Sequence, residues 1–422
     1  MLNTTIKYNN DIKERFIPID YEELLTQCLS YLKQDTEQYK IFSRLLSLYY
    51  QSLFHDERDE LKKLYRPFSP DKEMLSLTTF TSEEYKDKQD KLFSKLDKIL
   101  NNSNYNILSE DALKKTMDKT SLYSVNVEID FDDYEAVQLY TRGESIKVES
   151  VRDPWKLYLV KKEVKTLIYR RLCVILKLKH IDVRTQEVCA VDGKDFDSIK
   201  CKLSKNNPLL VYGDENQHIF IKLFKNVPRT DLKMLFPNSK ASISLLDRLK
   251  LGVFGGGGAI WGLIGLVGKL TVAVAIFSQA VLIALVVFVG LIWRQVKEVI
   301  SHQTSYTAKL LKTLYSYSIG DNEAVLTYLT YMAEESESKE VLLSYLFLVG
   351  LEKPITKMTL DKNIEEFIKV TYNIEMDFEI EDALRKLHDL DMVKEKDGYL
   401  YAVKVSEAVS LLESRLHSII KV

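Results

Sequence analysis

The stretch LKLGVFGGGGAIWGLIGLVGKLT, from Leu249 to Thr271, contains seven glycines between Gly255 and Gly268. A phosphate-binding P-loop needs a glycine, four residues and then Gly-Lys-Ser/Thr, because backbone N–H groups, a lysine and a hydroxyl must meet one triphosphate. Leu263 and Leu270 occupy the first and last of these positions. The dinucleotide-binding pattern is also unmet, because no polar helix face follows the glycines. The stretch therefore indicates an apolar segment rather than a nucleotide site.

The apolar segment is long enough to predict membrane spans. Lys269 is the only charged residue between Leu251 and Trp293. A bilayer core takes about 20 apolar residues per helix, so two spans fit, Leu251–Gly268 and Leu270–Trp293. Backbone groups in lipid must satisfy their own hydrogen bonds, which favours complete helices. The sequence therefore predicts a two-helix transmembrane hairpin within residues 249–295.

Small residues recur at intervals of three and four along the first span, and alanines form a comparable stripe on the second. Such faces let helices approach closely in membranes. They would pack the hairpin against itself or, alternatively, pack one copy of the chain against another in a homo-oligomer. The candidate helix-packing residues are Gly255, Gly258, Gly262, Gly265, Gly268, Ala273, Ala280 and Ala284.

Basic residues lie on both flanks of the segment. Lysine and arginine near span ends tend to stay on the cytoplasmic side, so we expect both termini there. Contact of this juxtamembrane collar with anionic lipid headgroups is the alternative interpretation. The N-terminus has neither the apolar core of a secretory signal nor the composition of a transit peptide. The collar consists of Arg229, Lys233, Lys240, Arg248, Lys250, Arg294 and Lys297.

The parts before the apolar segment differ in hydrophobic period. Residues 1–115 show a helical period, and Thr81 with Glu84 forms a capping box that predicts a helix start. Residues 116–248 change to a period of two, as in SVNVEIDF, which predicts strands of an α+β unit. We expect a turn at Arg142-Gly143. An acidic run from Asp130 to Glu135 fits a solvated turn better than a calcium loop, because it lacks the loop's glycine and late glutamate.

The part after the apolar segment, residues 296–422, predicts a winged-helix-like unit. Three helical patterns are followed by two short strands joined at Asp397-Gly398, a strong hairpin signal. From Ser301 to Val422 there are 14 Lys plus Arg against 21 Asp plus Glu. Its candidate recognition helix offers only Arg385 and Lys386 to phosphates. Since DNA binding depends on phosphate neutralisation, we expect protein contacts or self-association and no nucleic acid.

No motif for a reaction is present. The six histidines and four cysteines are scattered, without HExxH, CxxC or G-x-S-x-G spacing. His55 is the most suggestive histidine, and a helix surface is its expected environment. The sequence therefore predicts no catalytic residue, no cofactor and no metal ligand, and an enzyme is not the expected class. A membrane enzyme with a dispersed site stays an alternative.

Several sequence blocks resemble a family of membrane proteins built around a domain of unknown function, to which animal mitochondrial transmembrane protein 143 is similar. The resemblance implies membrane association and the same architecture, and it supplies no activity or site. The blocks are ERFIPI (Glu14–Ile19), LYRPFSPD (Leu64–Asp71), YTRGE (Tyr140–Glu144), LFKNVPRTDLKMLFPNSKASISLLDRLKLG (Leu223–Gly252), KLLKTLYSYSIGDNEAVLTYL, EESESKEVLLSYLFL and DFEIEDALRKLHDLDMV.

Together these patterns predict an α+β membrane protein with a helical N-terminal region (1–115), a mixed α/β unit (116–248), a transmembrane hairpin (249–295) and a C-terminal winged-helix-like helical domain (296–422). We expect an anchored scaffold or adaptor in a bacterial cytoplasmic membrane, with a mitochondrial inner membrane as the alternative location. Its expected partners are the lipid bilayer, an unidentified protein and a second copy of the chain. The alternative functions are lipid handling or membrane remodelling, and an oligomeric channel.

Overall fold

A computed structural model of the chain describes residues 5–8, 13–33, 36–71, 80–109, 125–152, 161–193, 195–206, 210, 218–237, 240–243, 315, 317–351 and 353–420. The strands are β1 (Thr5–Tyr8), β2 (Asn106–Ile107), β3 (Val125–Glu128), β4 (Tyr134–Arg152), β5 (Lys161–Leu178), β6 (Ile219–Pro228), β7 (Lys240–Ile243), β8 (Ser318–Asp321), β9 (Val393–Lys396) and β10 (Tyr399–Ala402). The helices are α1 (Tyr21–Leu32), α2 (Thr36–Tyr65), α3 (Ser82–Asn102), α4 (Ile181–Asp192), α5 (Phe196–Asn206), α6 (Asn322–Gly350), α7 (Lys357–Tyr372), α8 (Ile380–Asp389) and α9 (Val405–Ile420).

A six-stranded antiparallel sheet is built around β4 and β5. These two strands pair along almost their full length, from Tyr134 opposite Leu178 to Arg152 opposite Lys161. β6 and then β8 extend the sheet beyond β5, while β1 and β2 both pair with the other edge of β4. β3 and β7 form a separate antiparallel pair. The strands predicted from the period of two in this part of the sequence are thus confirmed.

Both faces of the sheet are covered. Leu172, Val174 and Leu176 of β5 lie in a core shared with α4 and with the 3-10 helix Arg229–Leu235. Cys173 and Ile175 point to the larger core, which includes buried residues of α1, α2, α3, α6, α7, α8 and α9. Because successive strand residues face opposite sides, a strand covered on both faces is apolar at every position.

Helix α6 is the central helix of the larger core. It begins directly after β8 and packs against α1, α2, α3, α7, α8 and β6. Residues 336–348 are buried without interruption, so this half of the helix is surrounded on all sides. Its sequence is polar between Glu334 and Glu340, and these polar side chains therefore lie inside the protein, where they need partners.

The C-terminal elements have the expected order. Helices α7 and α8 precede the two-stranded hairpin β9–β10, and Ile355 makes an isolated antiparallel bridge to Leu400. Asp397 and Gly398 both have positive φ, 54° and 77°, as a type I′ turn requires. The predicted hairpin is confirmed. Capping of α3 by Thr81 and Glu84 is also confirmed.

The predicted turn at Arg142-Gly143 is wrong. Both residues lie inside β4, where Arg142 is opposite Arg171 and pairing continues at Glu144 opposite Tyr169. Gly143 has a φ of +72°, and a Cβ on it would lie 3.0 Å from Nε of Arg170. Gly143 therefore makes room for the side chain of Arg170 within a strand, and the chain does not reverse direction there.

No helix in the described ranges is both long and apolar enough to cross a bilayer. The two longest, α2 and α6, have 30 and 29 residues, and α6 has five charged residues between Glu334 and Glu340. Their apolar faces pack in the core instead of facing lipid. This finding contradicts the predicted integral two-pass membrane protein, its transmembrane helices, its anchored scaffold or channel function and its location in a bacterial or mitochondrial membrane. We correct the fold class to a mixed α/β fold.

Residues 249–295, on which the membrane prediction rested, lie outside the described residues. The same holds for all the helix-packing glycines and alanines, and for four residues of the predicted basic collar, Arg248, Lys250, Arg294 and Lys297. The packing role of the small residues and the role of the collar stay predictions.

Candidate functional site

Residues 142–144 of β4 lie between two partner strands. β2 pairs with Tyr140 and Thr141, and β1 pairs from Ser145 onward. The segment 13–20 lies beside this gap and is attached at both ends. Glu14 pairs through its backbone with Glu375 and Asp377 before α8, and its carboxylate forms an ion pair with Arg170 of β5. Asp20 caps α1 by accepting from the backbone N–H groups of Glu22 and Glu23.

Arg142 is the central cation of this region. It is 5 % exposed, and its Cζ lies 4.6 Å from the ring centroid of Phe16 and 5.3 Å from that of Tyr105. Its Nη1 donates to the carbonyl oxygen of Ser103 at 3.1 Å, whereas its buried Nε has no acceptor. Burial lowers the pKa of Arg142, but a guanidinium stays protonated in proteins. Arg142 is therefore a buried cation whose hydrogen-bonding capacity is largely unused.

Lys339 is a second buried cation, contributed by α6. It is also 5 % exposed, and its Nζ donates to Oε1 of Glu335 at 2.5 Å and to the carbonyl oxygen of Ile17 at 3.5 Å. Glu335 is one helical turn before it, which is the spacing that lets side chains of one helix meet. The charge of Lys339 is thus neutralised by its own helix.

Between these groups lies a half-open pocket of about 210 Å³, which we call the Arg142 pocket. The segment 16–20 and Met332 line one side, and the carbonyl oxygen of Ile17 faces Lys339 on the other. The lining residues are Phe16, Ile17, Pro18, Ile19, Asp20, Arg142, Met332, Glu335, Ser336 and Lys339.

The two cations of the pocket differ in their partners. Glu335 neutralises Lys339, and the carboxylate of Asp20 is held at the positive N-terminus of α1. Within the described part of the chain, Arg142 has no carboxylate in ion-pair contact, and Nη1 to Ser103 is its one side-chain hydrogen bond. The two cations and two carboxylates of the lining therefore balance, but Arg142 is the cation without a carboxylate in direct contact.

A second polar cluster lies on the other side of the same stretch of α6. The ammonium group of Lys386 from α8 contacts Glu337, lies 2.9 Å from Oε2 of Glu340 and lies 2.5 Å from Oδ2 of Asp382. One oxygen from each of these carboxylates lies within 4.8 Å of the others, a spacing that could hold a metal ion. The lysine already occupies that position, so the arrangement serves as an ion cluster inside the protein.

Protonation in this acidic cluster is shifted by its environment. Burial raises the pKa of Glu337 to about 7, although Lys386 acts in the opposite direction. Burial also raises the pKa of Glu340. For Lys386 burial alone would lower the pKa, and the three carboxylates raise it above its usual value. The lysine stays charged at neutral pH, and the raised pKa of Glu337 brings its protonation into the neutral range.

The predicted site residues lie elsewhere. Arg229 and Lys233 are on the 3-10 helix after β6, Lys240 begins β7, and none of them lines the Arg142 pocket. His55 is exposed on α2, as expected. Lys386 does not face solvent as a recognition-helix cation would, because it is buried against α6.

Sequence reasoning missed the pocket because its parts are distant in sequence. Three blocks quoted for the family resemblance, ERFIPI, YTRGE and EESESKEVLLSYLFL, supply most of its lining. The available signal was a polar residue within an otherwise buried strand or helix. Arg142, for example, lies two residues after the buried Tyr140. That signal indicates a buried polar group, but it does not identify the partner.

Comparison with known proteins is informative for one part of the chain. No solved structure matches it. One segment of the chain, residues 169–324, matches a protein family. It begins in β5 and ends at the start of α6, so Arg142, the segment 16–20 and residues 332–339 lie outside it. The match gives no link to transmembrane protein 143 or to membranes. Residues 169–324 of this chain match DUF3754, a family described as a protein of unknown function.

Proposed function

We propose that this protein binds a small anion in the Arg142 pocket. The observation that supports the proposal is the buried guanidinium of Arg142, which lines the pocket and forms one side-chain hydrogen bond and no ion pair with the described residues. Buried charges in proteins are normally paired. A bound anion would complete the pairing that the chain itself leaves open.

The energetic reason is the cost of an unsatisfied buried donor. Leaving such a group without an acceptor costs roughly 1–3 kcal/mol, and more for a charged group. The rings of Phe16 and Tyr105 offset part of this cost through cation–π contacts, which contribute about 0.5–2 kcal/mol each. Ring faces give no hydrogen-bond acceptor in the plane of the guanidinium, however. An anion in the pocket would supply one to Nη2, since Nη1 is bonded to Ser103 and Nε is fully enclosed.

The competing explanation is that Arg142 only joins the segment 13–20, β4 and the turn after α3. Both explanations require Arg142 for stability, so stability alone does not separate them. Ligand binding does, because a purely structural arginine would give no saturable binding of anions.

The test is isothermal titration calorimetry of the full-length chain with acetate, pentanoate and inorganic phosphate at matched ionic strength. Arg142→Lys keeps the positive charge but removes the planar fork of donors. The matched control is Arg44→Lys, at an exposed position on α2. We expect the unaltered chain and Arg44→Lys to bind at least one of these anions. Since hydrogen bonds to charged groups contribute about 1.5–3 kcal/mol, Arg142→Lys should bind it about 10-fold to 150-fold more weakly.

Two results would overturn the proposal. One is the absence of saturable heat with all three anions, and the other is equal affinity in the unaltered chain and in Arg142→Lys. Circular dichroism establishes that each variant is folded. If Arg142→Lys does not fold, Met332→Trp replaces it, because an indole at that position would narrow the pocket without changing any charge.

Contact with an unidentified protein or with a second copy of the chain stays a proposal that rests on the sequence alone. The similarity to transmembrane protein 143 is likewise a proposal that rests on the sequence blocks. Size-exclusion chromatography with light scattering would test self-association, and a mass equal to one chain at all concentrations would count against it.

A further inference from the structure

We infer that the outer edge of β9 binds an extended segment of another protein, one with acidic residues at alternate positions. This inference is independent of the proposed anion site. It rests on three observations: the open backbone edge of β9, the side chains on the solvent face of the hairpin, and the order of charges along the strand.

β9 is the outer strand of the hairpin sheet. β10 lies between it and Ile355, and among the described residues no strand pairs with the far side of β9. The hairpin loop has two residues, so Lys396 and Tyr399 form a hydrogen-bonded pair, and every second pair along the ladder does the same. The N–H of Leu400 fits this alternation, because it donates away from β9 to the carbonyl oxygen of Ile355 at 2.9 Å. Glu395, which is opposite Leu400, therefore directs its own N–H and C=O to the outer edge.

The solvent face of the hairpin carries lysines and tyrosines. Leu400 is buried, whereas its neighbours Tyr399 and Tyr401 are 46 % and 44 % exposed. Lys396 and Lys394 are opposite these tyrosines, are exposed, and form no ion pair with the described residues. Since alternate residues of a strand share a face, the two lysines lie on one face of the edge strand, about 7 Å apart.

The order of charges along β9 specifies the partner. A segment added to the edge would place one residue opposite Glu395, joined to it by two backbone hydrogen bonds, and its two neighbours opposite Lys394 and Lys396. Directly opposite residues share a face, where unlike charges attract and like charges repel. The matching segment therefore has an acidic, a non-acidic and an acidic residue in succession.

Other occupants match this edge less well. Antiparallel pairing of two copies of the chain through Glu395 would place the two copies of Glu395 opposite each other and Lys394 opposite Lys396, so like charges would meet at every position. Single-stranded nucleic acid would find lysines and aromatic rings here. Its phosphate backbone has no donor for the carbonyl oxygen of Glu395, however. Edge lysines also discourage aggregation, but that role alone predicts no saturable binding of a peptide.

The test is fluorescence anisotropy of a labelled short peptide, in which glutamate alternates with threonine, titrated with the full-length chain at low ionic strength. A first control peptide has the same composition with its glutamates consecutive, and it should bind more weakly because its charges do not match the alternation of β9. A second control peptide has N-methylated threonines, which removes the donors that would face Glu395. The loss of one backbone hydrogen bond should weaken its binding about 2-fold to 12-fold.

Variants of the lysines test the charge pairs. Lys394→Gln combined with Lys396→Gln should weaken binding of the alternating peptide about 2-fold to 30-fold, because two cross-strand charge pairs are lost. The matched control is Lys362→Gln, at an exposed position on α7, which should leave the affinity unchanged.

Variants of Glu395 test the backbone contact. Proline lacks the N–H and is tolerated on an edge strand where that N–H faces outward, so Glu395→Pro keeps the hydrogen bonds of the hairpin. Glu395→Gln removes the same charge and keeps the N–H. Glu395→Gln should bind the peptide at least as tightly as the unaltered chain, because a repelling charge is gone. Glu395→Pro should bind about 2-fold to 12-fold more weakly than Glu395→Gln. If circular dichroism shows that Glu395→Pro does not fold, the N-methylated peptide makes the same comparison.

Three results would overturn the inference. The first is the absence of saturable binding of the alternating peptide. The second is equal binding of the alternating and consecutive peptides, which would reduce the contact to general charge attraction. The third is tighter binding of an oligothymidine strand than of the peptide, lost when both lysines are replaced, which would identify a nucleic-acid surface. None of these results bears on the Arg142 pocket, which the calorimetry with small anions tests separately.

Discussion

The side-chain amide of Asn104 donates a hydrogen bond to Oε1 of Glu340 at 3.2 Å, across 236 residues of sequence. The preceding residue, Ser103, accepts from Arg142 through its carbonyl oxygen and donates through its hydroxyl to the carbonyl of Leu329 in α6. One turn after α3 therefore contacts both the Arg142 pocket and the acidic cluster around Lys386. The two polar sites share this turn and the stretch of α6 from 335 to 340.

Asn104 should contribute to stability in two separable ways. Its φ of +60° is in the left-handed region, which asparagine and glycine tolerate better than alanine. Asn104→Gly removes the hydrogen bond to the carboxylate without straining the left-handed backbone, and should cost about 1.5–3 kcal/mol in the free energy of unfolding. Asn104→Ala should cost about 1 kcal/mol more, because it also adds backbone strain. Urea unfolding followed by circular dichroism measures both. Equal stability of the two variants would contradict the backbone contribution.

Lys386 should be essential to the acidic cluster. Lys386→Met has similar length but leaves three carboxylates together without a cation, so we expect it to lower the free energy of unfolding at pH 7.5 by about 3–5 kcal/mol. The neighbouring Arg385 has a side chain that is 69 % exposed and pairs with Asp382. Arg385→Met should therefore cost less than about 1 kcal/mol. Similar urea midpoints for the two variants would show that the buried ion cluster does not stabilise the fold.

Stability should depend on pH through Glu337. Its pKa in the folded chain is about 7, above the ordinary 4.5, because burial outweighs the attraction of Lys386. The folded state thus binds this proton more tightly than the unfolded state, so protonation stabilises the fold. This contribution is fully present below about pH 4.5 and is lost as the pH rises through about 7.

The pH dependence can be measured against Glu337→Gln, which stays neutral. Between pH 4.5 and pH 8 the unaltered chain should lose about 3 kcal/mol of stability relative to this variant. The groups that face Glu337 in the cluster are Tyr50, Glu340, Asp382 and Lys386. Glu366→Gln, at an exposed position on α7, is the control and should parallel the unaltered chain. A pH-independent difference between the unaltered chain and Glu337→Gln would contradict the raised pKa.

Gly143 should be required for the packing beside the pocket. Gly143→Ala places a methyl group 3.0 Å from Nε of Arg170 and 3.2 Å from the ring of Phe16, at a φ of +72°. Gly193→Ala is a matched control, because its φ is +64° and no atom lies within 4 Å of the added carbon. Both variants should lose about 1 kcal/mol to backbone strain.

The steric contact should make Gly143→Ala the less stable of the two by a further 1–3 kcal/mol or so. Thermal unfolding of the two variants measures the difference. Displacement of Phe16 from Arg142 should also weaken anion binding in Gly143→Ala and not in Gly193→Ala. Identical melting temperatures would mean that the contact relaxes without cost.

Local elements were predictable because their signals act over a few residues. The capping box of Thr81 and Glu84 joins groups three positions apart, and the Asp397-Gly398 turn needs only two residues with positive φ. Alternation in β3 and the helical period in α1 to α3 have the same short range. Such elements form wherever the surrounding fold accepts them.

The failures concern residues whose environment comes from distant parts of the chain. Lys386 was expected at a surface, because lysine is seldom buried. It is buried because Glu337 and Glu340 of α6 face it. Arg142-Gly143 was expected at a turn, because glycine permits positive φ. Here that freedom accommodates the side chain of Arg170 from the neighbouring strand.

Hydropathy reports which residues avoid water, and it does not report what covers them. Among the residues that the structure describes, the apolar run LCVILKL in β5 is covered by helices on both faces of the sheet, and no helix is suited to cross a bilayer. The apolar segment on which the membrane prediction rested, residues 249–295, lies outside the described residues.

By itself, the sequence determined the short-range features of this protein: its caps, its hairpin, its strand alternation and the helical period of its N-terminal helices. Only the tertiary structure decided that Phe16, Arg142 and Lys339 line one pocket, and that Lys386 lies among three carboxylates. The physical reason is that backbone conformation depends on neighbouring residues, whereas the pairing of a buried charge depends on which distant groups the whole fold brings within a few ångströms.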